Sequence, residues 1–198
     1  MKKIIYSLFL IGMICPYANL AEILKRDTMI TCRNNLKTNY GTHQAPLMTV
    51  IANTQGPVLE LGCGDFSTPL LHALCAPSKR FLMSAETNKS WMRFFVDLSR
   101  EWHLFRWVET PKDWDTVGDN IHWSVVFVDH EPVLRRIEDI KRLRNKADIF
   151  VVHDLHLSGP YNYEPYLSTF TYRYDYNRYW VATAVVSDTV DVKKFFED

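Results

Sequence analysis

The sequence is notable first for what it lacks. There is no charge excess: 23 lysines and arginines face 23 aspartates and glutamates. Without a polybasic field, a chain has little electrostatic hold on a phosphate backbone, which disfavours a DNA- or RNA-binding module. Cysteines are few and badly spaced for chemistry. Setting aside Cys15 near the N-terminus, Cys32, Cys63 and Cys75 remain, with no CxxC pair. An odd count without that spacing is neither a disulfide framework nor a zinc site. One pair could close in an oxidising compartment, but small buried hydrophobes are the simpler reading. Internal repeats, low-complexity tracts and an interdomain linker are lacking too. The 198 residues, 47% hydrophobic and 23% charged, therefore suit one well-buried domain rather than a disordered chain or two domains.

The N-terminus stands apart. Lys2 and Lys3 precede an apolar run from Ile4 to Cys15, followed by a polar tail with small residues, Pro16 to Ala21. That is the layout of a secretory signal, and the run is short for a membrane span. Residues 1–21 thus read as a signal peptide, with a membrane anchor through residues 4–15 or a buried N-terminal element as the alternatives. The first two imply an exported or membrane-attached protein; a leader that does not function leaves it cytoplasmic. Residues 22–198 form the single domain.

Within that domain, apolar runs alternate with helical patterns. Ala45 to Ala52 can form an amphipathic helix. Val58 to Leu61 reads as a strand, Thr68 to Cys75 as a helix capped by Ser67 or Thr68, and Arg80 to Glu86 as a second strand. Trp91, Phe94, Phe95 and Leu98 recur at helical steps, predicting a helix over Asn88 to Arg100. His103 to Val108, Trp123 to Val128 and Ala147 to Val152 are further strands. Arg135 to Arg144, interleaved with Glu138 and Asp139, reads as a solvated helix. After Gly159 the pattern becomes two alternating segments, Phe170 to Tyr176 and Trp180 to Val186, an antiparallel pair whose tyrosines read mainly as cross-strand packing.

Nearly all-apolar strands alternating with helices argue for a parallel sheet covered on both faces. Ligands in such sheets bind beyond the C-terminal strand ends, at the switch in strand order. Polar residues collect there: Glu60 to Asp65, Glu86, Glu109, Asp129-His130 and His153-Asp154. The loop Glu60-Leu-Gly-Cys-Gly-Asp65 lacks the third glycine of a dinucleotide fingerprint, Ser67 standing in its place, and lacks the Gly-Lys-Ser/Thr of a P-loop. Asp65 would repel a pyrophosphate and suits a ligand with a cationic part.

The stretch VLELGCG resembles motif I of the class I S-adenosylmethionine-dependent methyltransferases. The longer pattern, from GDFSTPLLHALC through RFLMSAETNKSWMRFF and VVFVDHEPVLRRIEDI to ADIFVVHDL, is similar to a little-characterised branch of that superfamily over about residues 45–190. The resemblance implies an α/β, Rossmann-like, doubly wound sheet of seven mostly parallel strands with an antiparallel C-terminal edge. It implies S-adenosylmethionine as cofactor and a small-molecule acceptor, with O-methylation as one form of the reaction. Gly62 and Gly64 would line the methionine moiety, Glu60 and Asp65 lie near its ammonium, Glu86 take the ribose, and Asp113 and Trp114 meet adenine.

Asp129, His153 and Asp154 are the expected catalytic residues, with His130, His156 and Tyr161 beside the substrate. The same cluster could hold a divalent metal, as in metal-dependent O-methyltransferases, though Leu155 stands where that group has an asparagine. Metal is not the favoured expectation, and structural hydrogen bonding is the plain alternative. A non-catalytic descendant keeping the fold as a binding scaffold is the rival from another class, and an α/β enzyme of another nucleotide a third.

Overall fold

A computed structural model describes residues 40–155, 159 and 162–197. The leader of residues 1–21, Cys15, Cys32, His156 and Tyr161 lie outside this range. Helix α1 (Gln44–Ala52) leads into strand β1 (Val58–Leu61), and α2 (Thr68–Cys75) into β2 (Leu82–Glu86). Then come α3 (Lys89–Met92), β3 (His103–Trp107), a 3-10 turn (Pro111–Thr116), β4 (Trp123–Val128), α4 (Arg135–Leu143) and β5 (Ala147–Leu155). A short α5 (Glu164–Leu167) precedes β6 (Tyr172–Tyr176) and β7 (Ala182–Ser187).

The seven strands make one sheet in the order β3-β2-β1-β4-β5-β7-β6. Strands β1 to β5 run parallel, and β7 lies antiparallel between β5 and β6. The order reverses between β1 and β4, so their C-terminal ends open the crevice that such a reversal creates. Every residue of β1 and β4 is buried, because helices cover both faces. Alternation along each strand sends side chains to two apolar layers. Val125 and Phe127 join Leu47 and Val50 of α1 and Leu71 of α2 on one face. Val126 and Val128 join Trp114, Ile140 and Leu143 on the other. Among the described residues no helix is long and apolar enough to cross a membrane.

Two expectations fail. The helix over Asn88 to Arg100 is only one turn, Lys89–Met92, followed by a 3-10 turn at Val96–Leu98. Its aromatic stripe has no common face to bury: Phe95 is buried while Phe94 is exposed, and the Trp91 indole N–H donates to the Cys63 carbonyl at 2.7 Å. A run of aromatic and β-branched residues has little helix propensity to resist this division. Nor is Arg135 to Arg144 simply a solvated face. Arg136 and Asp139 are buried with Ile140 and Leu143, at the three- and four-residue steps of one inward stripe.

Candidate functional site

The loop after β1 is held from three sides. The Gly62 N–H donates to the Ala85 carbonyl at 2.9 Å, and the Cys63 N–H donates to Glu86 Oε2 at 3.0 Å. Trp91 supplies the third tie. Gly62 has φ of +95°, and a β-carbon there would stand 2.7 Å from the Asp129 carbonyl oxygen and from His130 Cα. Only glycine satisfies both demands. Gly64 is different: its β-carbon would meet nothing nearer than Ser67 Oγ at 3.2 Å. Asp65 is exposed beside it.

Glu60 lies beneath the loop, fully buried. Thr68 Oγ1 accepts from the Gly64 N–H at 2.9 Å and donates to Glu60 Oε1 at 2.9 Å, while the Ser84 hydroxyl donates to Oε2. Ser67 begins α2 without capping it through its side chain. Burial pushes the Glu60 carboxyl up to about 7, against the downward pull of the Ser67, Ser84 and Thr68 hydroxyls. Through Ser84 the carboxyl is linked to His103 Nε2 at 3.0 Å, and His103 Nδ1 meets His72 Nδ1 at 2.9 Å.

At the end of β2, Glu86 is turned inward. Its second oxygen, Oε1, accepts from the Asn88 N–H at 2.7 Å. Beyond it lies a cavity of about 350 Å³ between Thr87, Glu109 to Pro111, and Glu131-Pro132, with Trp114 in its lining. Trp114 is fully buried and lies tilted against His130, with 4.4 Å between centroids. Its indole N–H has no hydrogen-bond partner among the described residues. Asp113, by contrast, is exposed. It accepts from the Thr110 N–H at 2.7 Å and the Thr110 hydroxyl at 2.9 Å, and these bonds lower its pKa.

The ends of β4 and β5 form the second half of the site. Val128 pairs with Val152 in register, so Asp129 and His153 come next and share the face of Phe127 and Val151. His153 Nδ1 lies 3.3 Å from Asp129 Oδ2 and 3.4 Å from Asp154 Oδ1. Consecutive residues reach one place because the pairing of β5 with β7 shifts between Val152 and Leu155, with Asp154 at φ of +59°. Arg136, 3% exposed, joins both carboxylates at 3.1 Å each and donates to the His130 carbonyl at 2.8 Å. Burial works against a charged His153, yet Asp129 and then Asp154 outweigh it and raise its pKa. Asp129 is held low: burial opposes its charge, but His153, Arg136 and His43 more than compensate.

His130 points to the opposite face, buried, with Nε2 3.0 Å from Asp139 Oδ2. The structure therefore splits the Asp129-His130 dipeptide between the crevice and the layer around Trp114. Two crevice residues escaped the sequence reading: Arg136, taken as solvated, and His43, which precedes α1 in a stretch without pattern. Arg136 could have been sensed from its place on the Ile140–Leu143 stripe. His43 had no local signal.

No protein-family model and no curated protein matches the chain. Solved structures do match in fold. A Klebsiella pneumoniae protein proposed to be an O-methyltransferase is 10% identical, with a TM-score of 0.61 over 82% of this chain and 90% of that one. The 16S rRNA methylase ArmA is 18% identical, with a TM-score of 0.52 over 86% and 98%. A human protein containing a methyltransferase 10 domain is 11% identical, with a TM-score of 0.52 over 87% and 99%. The expected fold stands: a Rossmann-like sheet of seven mostly parallel strands with an antiparallel edge, shared with these methyltransferase structures.

Proposed function

We propose that the chain is an S-adenosylmethionine-dependent methyltransferase acting on the hydroxyl of a small acceptor. One observation carries this reading: a single sheet edge gathers a glycine loop, an inward carboxylate at the end of β2, a cavity with a buried unsatisfied indole N–H, and a carboxylate–imidazole pair. The residues fit the cofactor. The orphaned Trp114 N–H and the 350 Å³ cavity suit an adenine, and Glu86 retains acceptor capacity for ribose hydroxyls. Exposed Asp65 answers a cationic ammonium beside Gly64.

Bound there, S-adenosylmethionine supplies a methyl group activated on a sulfonium. The protein's part is alignment, because the acceptor must lie in line with that methyl. Gly62 backs directly onto Asp129, so the loop and the acceptor side are held in one rigid piece. Arg136 fixes the Asp129 carboxylate, and Asp129 with Asp154 makes His153 more basic than free histidine. A proton leaving the acceptor hydroxyl is then stored at His153 Nδ1 against Asp129 Oδ2. The balanced charge supports a small acceptor over RNA.

Calorimetric titration with S-adenosylmethionine and S-adenosylhomocysteine tests the reading. Saturable binding of both is expected, and loss of both in Gly64→Val with the fold retained. Absence of heat and of any thermal shift with either ligand refutes it. The leader belongs to the same proposal: residues 1–21 export the chain or hold it at a membrane. An intact Met1 on soluble cytoplasmic protein from the native host would overturn that part.

A further inference from the structure

His43 is 2% exposed, and neither ring nitrogen has a hydrogen-bond partner among the described residues. A buried imidazole without partners carries a desolvation cost that native structures rarely leave uncompensated. It packs edge-on against His153 at 4.5 Å between centroids. His43, Asp129 and His153 each offer a donor atom within 4.8 Å of the other two. We propose that these three residues form a binding site for a divalent transition metal of the zinc class, with a coordination position left open toward the crevice.

The surroundings are those of metal ligands. Thr42 Oγ1 lies 3.1 Å from His153 Nε2, so accepting that N–H leaves the Nδ1 lone pair facing Asp129. Ligating histidines are commonly oriented through their second nitrogen in this way. Asp129 Oδ1 is held by Arg136, which leaves Oδ2 for the cation. The Arg136 charge is shared with Asp154, so Asp129 alone does not neutralise it. A tetrahedral centre with bonds of about 2.0–2.1 Å needs donors about 3.3 Å apart. His153 Nδ1 and Asp129 Oδ2 already have that spacing, and His43 has only to close in. Two imidazoles and one carboxylate favour zinc, cobalt or iron(II) over magnesium or calcium, which prefer all-oxygen shells.

The site stands whether or not the chain transfers methyl groups. With a cation bound, His153 Nδ1 is a ligand, so storing the acceptor's proton there belongs to the metal-free protein alone.

Cobalt(II) titration of the metal-stripped protein, followed by the visible absorption of a tetrahedral centre, tests the site, with zinc competition to confirm one equivalent per chain. Both His43→Gln and Asp129→Asn should abolish the band. Thr42→Val should weaken binding about ten- to a hundredfold, and exposed His122→Ala should leave it unchanged. No stoichiometric band in the wild type overturns the proposal, as does a full-strength band in folded His43→Gln. S-adenosylmethionine binding measured on the same samples keeps the two proposals apart: cofactor without metal refutes only this one, and metal without cofactor only the other.

Discussion

Glu60→Gln isolates the carboxyl beneath the glycine loop. In the unfolded chain that group titrates near 4.5, and in the fold burial raises it to about 7. Between those values the folded state binds the extra proton, so its contribution to stability is fully present below pH 4.5 and is lost as pH rises through 7. At 1.36 kcal/mol per unit of pKa shift, the loss across the window is about 3 kcal/mol. Buried His103 runs the other way. Burial and the charges of His72 and Arg100 lower it to about 3, so acidification below its unfolded value of 6.5 costs stability. Between pH 4.5 and 6.5 the Glu60 and His103 slopes oppose each other, and His43 and His72, lowered by burial to about 3 and about 4, add to the histidine side. Glutamine cannot titrate, so Glu60→Gln should expose the histidine slope. Urea unfolding at half-unit pH steps, read by tryptophan fluorescence, gives the difference between the two proteins directly. That difference should shift in the variant's favour by about 3 kcal/mol from pH 4.5 to 7. Parallel profiles would refute the reasoning, because they would mean that Glu60 ionises as freely as in the unfolded chain.

Arg136→Met leaves the Asp129 and Asp154 carboxylates without their shared cation and should cost about 3 kcal/mol in urea unfolding. An unchanged midpoint would show those carboxylates to be adequately solvated. Gly62→Ala should lose at least about 2 kcal/mol from its left-handed backbone alone, whereas Gly64→Ala should unfold with the wild type; the two melting curves decide it. Trp91→Phe removes the tie to the Cys63 carbonyl and should cost about 1 kcal/mol. It should also speed amide exchange at Gly64, and equal exchange rates would dissolve the link between α3 and the loop.

The sheet was legible because its strands are nearly pure apolar runs, and their polar termini marked the edge where the candidate site lies. Facing was harder to see. Asp129 and His130 are adjacent in sequence, and only the register with β5 shows that Asp129 shares a side with His153. Alternation from Phe127 and Val151 contained that information, but the bulge carrying Asp154 did not announce itself. The buried stripe of α4 was masked because two of its members, Arg136 and Asp139, are charged and pair inside. A helix that buries charge among partners has the composition of one that faces water. His43 reaches the crevice only through tertiary packing, since α1 lies across β4 from outside any recognisable motif.

Gly62 joins the two halves of the crevice more closely than the motif suggests. A glycine in such a loop is ordinarily read as making room for a ligand, but the space its missing side chain frees is filled by the backbone of Asp129 and His130. Its work is therefore mechanical: it lets β1 end against the C-terminus of β4. Gly64, with only a hydroxyl nearby, is the glycine that leaves space for something else. On the same logic Glu60 and Glu86 divide their labour. Glu60 spends both oxygens on buried hydroxyls under the loop, while Glu86 pins the loop's Cys63 from the side. A cofactor seated on Gly64 and Glu86 would be registered against Asp129 through a single glycine, so a shift of that contact moves donor and acceptor together rather than apart.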